Sequence, residues 1–299
     1  MPSQRHCIAG IPTIFHKPTS TQLPANLLSR IILPSKHLSP FVHHYWVMRF
    51  DGHPMEMTIM PTGCMKWMFH REKPFAVNGI YEASNVASVC GQYHAAANVS
   101  TFEHADLLFV FFHPYALKII MGMPCNMFSS TNVDMDDLGI PEFKLLKRMV
   151  LDAKTDDGAI AIIENFITQR LALNNDFETI KRMMAVCSEI EHHPSSSIDM
   201  LADRACLGER QFRRFFEEYV GMSPKMMIRT KRCLQACRSI QSLQITDFKD
   251  IVYRLGFTDH SHLNKEFKAF AGMSPSEYME HIRHIQQENF LRGYRAYHK

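Results

Sequence analysis

The sequence predicts an α+β chain in two parts: an amino-terminal part of strands followed by a helical segment, and an all-α carboxy-terminal third. Three observations carry this. A short pattern occurs twice after Ile198, and the second half of each copy keeps a constant offset of 51 residues. Short segments rich in Trp, Tyr, Phe and Val, separated by turn-like breaks, run from Val42 to Phe112. A polar stretch, Glu191-His192-His193-Pro194-Ser195-Ser196-Ser197, lies between the two regions and has no periodicity. Such a stretch reads as a linker, which divides the 299 residues into parts 1–190 and 198–299 joined by 191–197.

Residues 1 to about 38 hold Pro12, Pro18, Pro24 and Pro34 and read as irregular, with one short strand at 30–33. Strands are then expected at 42–50, 55–60, 65–70, 75–78, 87–90, 98–101 and 106–112. Breaks such as Pro61-Thr62-Gly63 and Asn78-Gly79 separate them. Short strands at this spacing predict a β-sandwich or barrel. Asp106-Leu107-Leu108-Phe109-Val110-Phe111-Phe112 is the most apolar run and reads as a strand buried on both faces. A short helix is expected from Tyr115 and an acidic loop from Asn132 to Asp137. Helices follow at about 142–151, 158–173 and 178–190, the second with a stripe of Ile160, Ile163, Phe166 and Ile167.

After the linker, Ser196 or Ser197 is placed to cap a helix that carries Ile198, Leu201, Ala202 and Ala205. A second helix begins near Glu209. Its Phe212, Phe215, Phe216 and Tyr219 make an i, i+3, i+4, i+7 stripe, and Arg210, Arg213, Arg214 and Glu217 lie opposite. Gly221-Met222-Ser223-Pro224 ends the copy and starts a connecting helix that runs to about residue 243. At 1.5 Å per residue that helix spans roughly 25–30 Å. The second copy has Ile251, Val252 and Leu255, the turn Gly256-Phe257-Thr258-Asp259, a helix with Ser261, Asn264, Lys265 and Lys268 outward, and Gly272-Met273-Ser274-Pro275. Two helices joined by a tight turn, the second with a polar and basic outer face, form a helix-turn-helix pattern. Two such faces on one bridge of that length sit about one DNA turn, near 34 Å, apart.

Charge follows the same division. From Ser197 onward, 17 Lys/Arg stand against 12 Asp/Glu, a net of +5, while the rest is −2 and the whole chain +3. A basic carboxy-terminal part suits a nucleic-acid partner. Eight cysteines include no CxxC pair, so no zinc ribbon or dithiol redox site is expected. Cys233 and Cys237 read as small apolar residues on the connecting helix. Neither a leader-like start nor an apolar run of membrane-spanning length is seen, so a cytoplasmic, soluble chain with reduced thiols is expected.

From Leu201 to Tyr278 the sequence resembles the DNA-binding domain of AraC/XylS transcriptional regulators. The carrying residues are Leu201-Ala202, Phe212, Phe216, Gly221-x-Ser223-Pro224, Ile251 to Phe257, Phe267-Lys268, Gly272-x-Ser274-Pro275 and Tyr278. Val252 stands where the family usually has Ala, Gly208 where it often has Ser, and Glu266 interrupts the second reading helix. The resemblance implies a cupin-like barrel in the amino-terminal part, a dimer contact through the helices after it, and double-stranded DNA and RNA polymerase as partners. It implies base contacts in the major groove from Arg210, Arg213 and Arg214 in the first copy, and from His260, Ser261, Asn264 and Lys265 in the second. An activator controlled by a small molecule is the reading preferred here, with Trp46, Trp67, Phe69 and Tyr93 as the expected ligand-lining side chains. The alternatives are a regulator without a small ligand, controlled by a partner protein or by abundance, and a metal-dependent cupin enzyme fused to a DNA-binding module. The last is disfavoured because the amino-terminal part has no HxH pair and His43-His44 should point to opposite faces of a strand. No catalytic residue, metal or cofactor is expected.

Overall fold

The computed structural model describes residues 14–16, 28–52, 54, 56–73, 75–81, 86–174, 177–242 and 248–284. The carboxy-terminal tail 286–299, the first residues of the chain and the expected position 55 lie outside these. The α+β organisation is as expected. The strands β1 (Ile14–His16), β2 (Leu28–Ile32), β3 (Val42–Asp51), β4 (Glu56–Ile59), β5 (Lys66–His70), β6 (Ala76–Val77), β7 (Ile80–Tyr81), β8 (Ala87–Cys90), β9 (Ala97–Ser100) and β10 (His104–Phe112) come first. Then follow α1 (Ala116–Met121), β11 (Asn132–Asp134), α2 (Pro141–Leu151), α3 (Asp156–Ala172) and α4 (Phe177–His192). The carboxy-terminal helices are α5 (Ile198–Arg204), α6 (Glu209–Val220), α7 (Pro224–Gln241), α8 (Phe248–Leu255) and α9 (His260–Ala271).

The strands build two sheets, ordered β1-β4-β9-β6-β7 and β11-β8-β5-β10-β3-β2. The closed cupin-like barrel is not formed. Among the described residues each sheet keeps two edges, and the edge strand β7, with two residues, offers too few backbone groups to close one sheet onto the other. As expected, β10 is buried on both faces from Leu108 to Phe112. A second correction concerns 132–137. Asp134 accepts a hydrogen bond from the Asp136 amide at 2.8 Å, and Lys147 from α2 bridges the two carboxylates at 2.9 and 2.8 Å. This bracing turns the expected loop into β11 and a 3₁₀ turn, Met135–Leu138.

The core does not divide at the polar stretch. One apolar cluster joins Tyr45, Trp67 and Phe112 of the strands with α1 to α4 and with Leu201, Phe212 and Phe216 of the first helix-turn-helix unit. A second cluster holds α7, α8, α9 and Tyr278, with Met60 reaching in from the strand region. A third lies between the sheets around Trp46, Met57, Phe75 and Phe109.

Ser197 caps α5 by accepting from the Met200 amide at 3.3 Å, and Ser223 caps α7 by accepting from Met226 at 3.2 Å, with Pro224 at the first position. Ser274 and Glu277 form a reciprocal capping box, with the Ser274 amide donating to Glu277 at 2.6 Å and the Glu277 amide to Ser274 at 3.3 Å. It opens a helix over 275–284.

Candidate nucleic-acid interface

Each reading helix begins at a left-handed turn. In the second unit this position is Gly256, with φ of 71°, and Asp259 caps α9 by accepting from the His262 amide at 2.7 Å. In the first unit it is Cys206, with φ of 56°, and Gly208 is a cap without a side-chain bond. The second turn holds one residue more, which is why the pattern offset changes within each copy.

Burial separates the faces of α6 and α9. Phe212, Phe216 and Tyr219 point inward on α6, and Leu263, Phe267 and Phe270 on α9. Arg210, Arg213 and Arg214 are exposed, as are His260, Ser261 and Lys265, while Asn264 is half-buried. The structure thus groups the expected residues on two surface faces, three on α6 and four on α9. Arg213 donates to Glu209 one turn earlier, and the Asn264 side-chain nitrogen lies 3.2 Å from His260 Nδ1. Both arrangements are solvent-facing and are readily exchanged for contacts to bases or phosphates.

The first unit is fastened to the amino-terminal part. Lys118 of α1 pairs with Glu218, and the Gln92 side chain donates to the Val220 carbonyl at 3.3 Å. Gly221, with φ of 83°, brings α6 close to the Cys125 carbonyl, so an added Cβ would sit 3.0 Å from that oxygen. These contacts use the end of α6 away from Arg210 and leave its arginine face open. On α7, Lys231 lies 2.6 Å from Glu191, Arg238 donates to the same carboxylate at 3.3 Å, Gln235 donates to the Glu191 carbonyl at 2.6 Å, and Arg232 to the Pro194 carbonyl at 3.1 Å. The expected linker therefore begins inside the last turn of α4 and is clamped along one side of α7.

Beside this clamp lies a cavity of about 710 Å³. Its walls include His43, His44, Cys64, His113 and Tyr115 from the strand region, Cys187 and Glu191 from α4, and Lys231, Leu234 and Arg238 from α7. Burial works against charge on Lys231, yet its acidic surroundings, Glu191 among them, keep the ammonium above the usual lysine range. Burial also works against the Glu191 carboxylate, but Lys231 and Arg238 hold it below the usual range. His43 and His44 do not point to opposite faces. The register between β3 and β10 shifts between Phe111, paired with His44, and Phe112, paired with Val42. His43 is the extra residue of this bulge, so both rings turn to one side, with their Nδ1 atoms 2.7 Å apart. Burial, then Lys231, lowers the pKa of His43; burial, then His43, lowers that of His113.

Three of the four expected ligand-lining aromatics pack elsewhere. Trp67 is fully buried against Phe112 and Phe143, and Phe69 shares that core. Trp46 stacks on Phe109 and donates to Ser29 at 2.9 Å. Tyr93 alone lines a cavity, a smaller one of about 60 Å³ between the sheets. The residues around the larger cavity are not legible as a group in the sequence because they come from five separated segments; the His43-His44 pair is the one local signal. Among the described residues, no group of three His, Cys, Asp or Glu is disposed to hold a metal ion. No helix among them is long and apolar enough to cross a membrane.

Residues 201–281 match the family model described as a helix-turn-helix domain. The carboxy-terminal domain is thus a helix-turn-helix domain of the AraC type. Residues 30–134, in the sheet region, match a domain of unknown function, DUF6597. An uncharacterized HTH-type transcriptional regulator of Haemophilus influenzae is 27% identical over 139 residues, 45% of this chain. The match spans about half, 46%, of that relative's length. Among solved structures, ToxT from Vibrio cholerae resembles the chain at a TM-score of 0.43 and 12% identity, over 79% of this chain and 97% of ToxT. The AraC-like transcriptional activator CuxR scores 0.27 at 8% identity, over 71% and 95%. These distant likenesses leave the AraC-type domain to be read from its own residues.

Proposed function

We propose that this chain is a transcriptional regulator that reads double-stranded DNA with α6 and α9 in neighbouring major grooves. The observation that carries the reading is the pair of exposed polar faces on duplicated units joined by one helix, α7. Arg210, Arg213 and Arg214 on one face and His260, Ser261, Asn264 and Lys265 on the other supply base and phosphate contacts. Arginine pairs bidentately with guanine and asparagine with adenine, each such pair discriminating by about 1–3 kcal/mol. The functional parts are 1–190 for control, 191–197 as connector and 198–299 for DNA. The chain works in the cytoplasm, recruits RNA polymerase as an activator, and pairs with a second copy through its amino-terminal part.

Control is assigned to a small molecule in the cavity beside Lys231. Its walls come from the strand region, α4 and α7, so an occupant touches the clamp that fixes α7, and with it both reading helices. A ligand that binds one arrangement of the clamp better than another shifts the population of that arrangement.

Sites selected from a random DNA pool by the purified chain test the reading. A two-part motif with half-sites about one helical turn apart is expected. Enrichment of no motif, with binding that depends only on salt, overturns it. Melting the protein against a metabolite collection tests the cavity. An occupant at about 100 times its Kd adds about 2.7 kcal/mol of stability, and Lys231→Ala should remove that gain.

A further inference from the structure

The two reading helices are seated by different means. At an offset of 51 residues, Phe215 of α6 corresponds to Glu266 of α9. Phe215 packs its ring on Tyr219, with centroids 4.6 Å apart, and leans on the core shared with the amino-terminal part. Glu266 forms a two-pronged pair with Arg229 of α7: Nε donates at 2.6 Å and the terminal nitrogen at 2.8 Å. The Glu266 side chain is only 14% exposed and that of Arg229 37%. Arg229 and Glu266 both sit on the helices that carry the second head, whose apolar core is separate from the one that anchors α6.

We infer that the Arg229–Glu266 pair is the positioning element of the second reading head, setting the rotation of α9 about its own axis on α7. Glu266 flanks the buried row of Leu263, Phe267 and Phe270 and adjoins Lys265 on the reading side. A bidentate guanidinium–carboxylate pair is planar and directional, and it fixes an angle where apolar side chains alone allow a helix to roll. A roll of α9 would move Asn264 and Lys265 together away from the base edges. The inference rests on the DNA-reading function proposed above.

The test uses the full chain and its selected site, with gel-shift on specific and scrambled DNA, hydroxyl-radical footprinting and a melting curve. Arg229→Ala and Glu266→Gln are each expected to lower the specific-to-scrambled ratio about tenfold, the size of one bidentate base contact. The loss should appear as weaker protection at the half-site covered by α9, with the α6 half-site unchanged and a cooperative melt retained. Arg229→Glu combined with Glu266→Arg should restore the ratio. If Glu266→Gln binds as selectively as wild type, or if protection falls equally at both half-sites, the inference is overturned. If the wild-type chain itself does not discriminate, the DNA-reading function fails instead, and the inference with it.

Discussion

Arg214 stands on the open face of α6 and makes no hydrogen bond or ion pair among the described residues, which leaves its guanidinium free to meet a base edge. Arg214→Ala should lower binding to the selected site roughly 5- to 100-fold relative to scrambled DNA, the range set by one lost bidentate contact; a gel-shift comparison reads this. Cys206, close by, occupies a left-handed turn position at φ of 56°, where Gly256 serves in the other copy. A non-glycine residue there costs about 1–2 kcal/mol, of which glycine's greater unfolded freedom returns part. Cys206→Gly should therefore raise stability by about 0.5–1 kcal/mol in urea unfolding. His44 behaves differently. Burial, helped by the neighbouring His43 and His113, pulls its pKa down to about 4. The unfolded chain therefore takes up the proton first as pH falls. The neutral ring's contribution is complete above the unfolded value of about 6.5 and is lost on the way down to 4. His44 alone should account for about 1–2 kcal/mol of the stability lost between pH 7 and pH 5, and His44→Leu should make the profile shallower by that part.

At the scale of elements, the carboxy-terminal helices were largely legible. Their caps, stripes and terminal glycines are local, and local features survive packing. Ser223 is an example: its hydroxyl accepts from the Met226 amide, and Pro224 follows. Ser223→Ala should cost about 1 kcal/mol, read as a lower melting temperature with the fold retained. The strand positions are legible to within a few residues, yet their arrangement in two open sheets is not, because neighbours such as β4 and β9, which pair Thr58 with Asn98, lie far apart in the sequence. The bulge at His43 was missed for the same reason: alternation along one strand does not reveal a register shift against its neighbour.

Across the whole molecule, the clamp between Glu191 and α7 couples the cavity to the reading helices. Glu191→Ala strands the Lys231 ammonium, whose side chain is 9% exposed. Unfolding should show a loss of about 3 kcal/mol, the low end of the cost of leaving a buried charge unpaired. An unchanged unfolding midpoint would show that water in the cavity replaces the carboxylate. The repeated motif, the helical stripes and the basic bias of the last hundred residues were enough, from the sequence alone, to specify two helix-turn-helix units and their outward residues. The core shared by the strand region and the first unit was decided only by the tertiary structure. So were the cavity, the clamp, and the Arg229–Glu266 pair that answers an irregular residue in the second copy. Each of these joins side chains far apart in the chain, and the free energy of such contacts depends on distances that periodicity along a single segment does not encode.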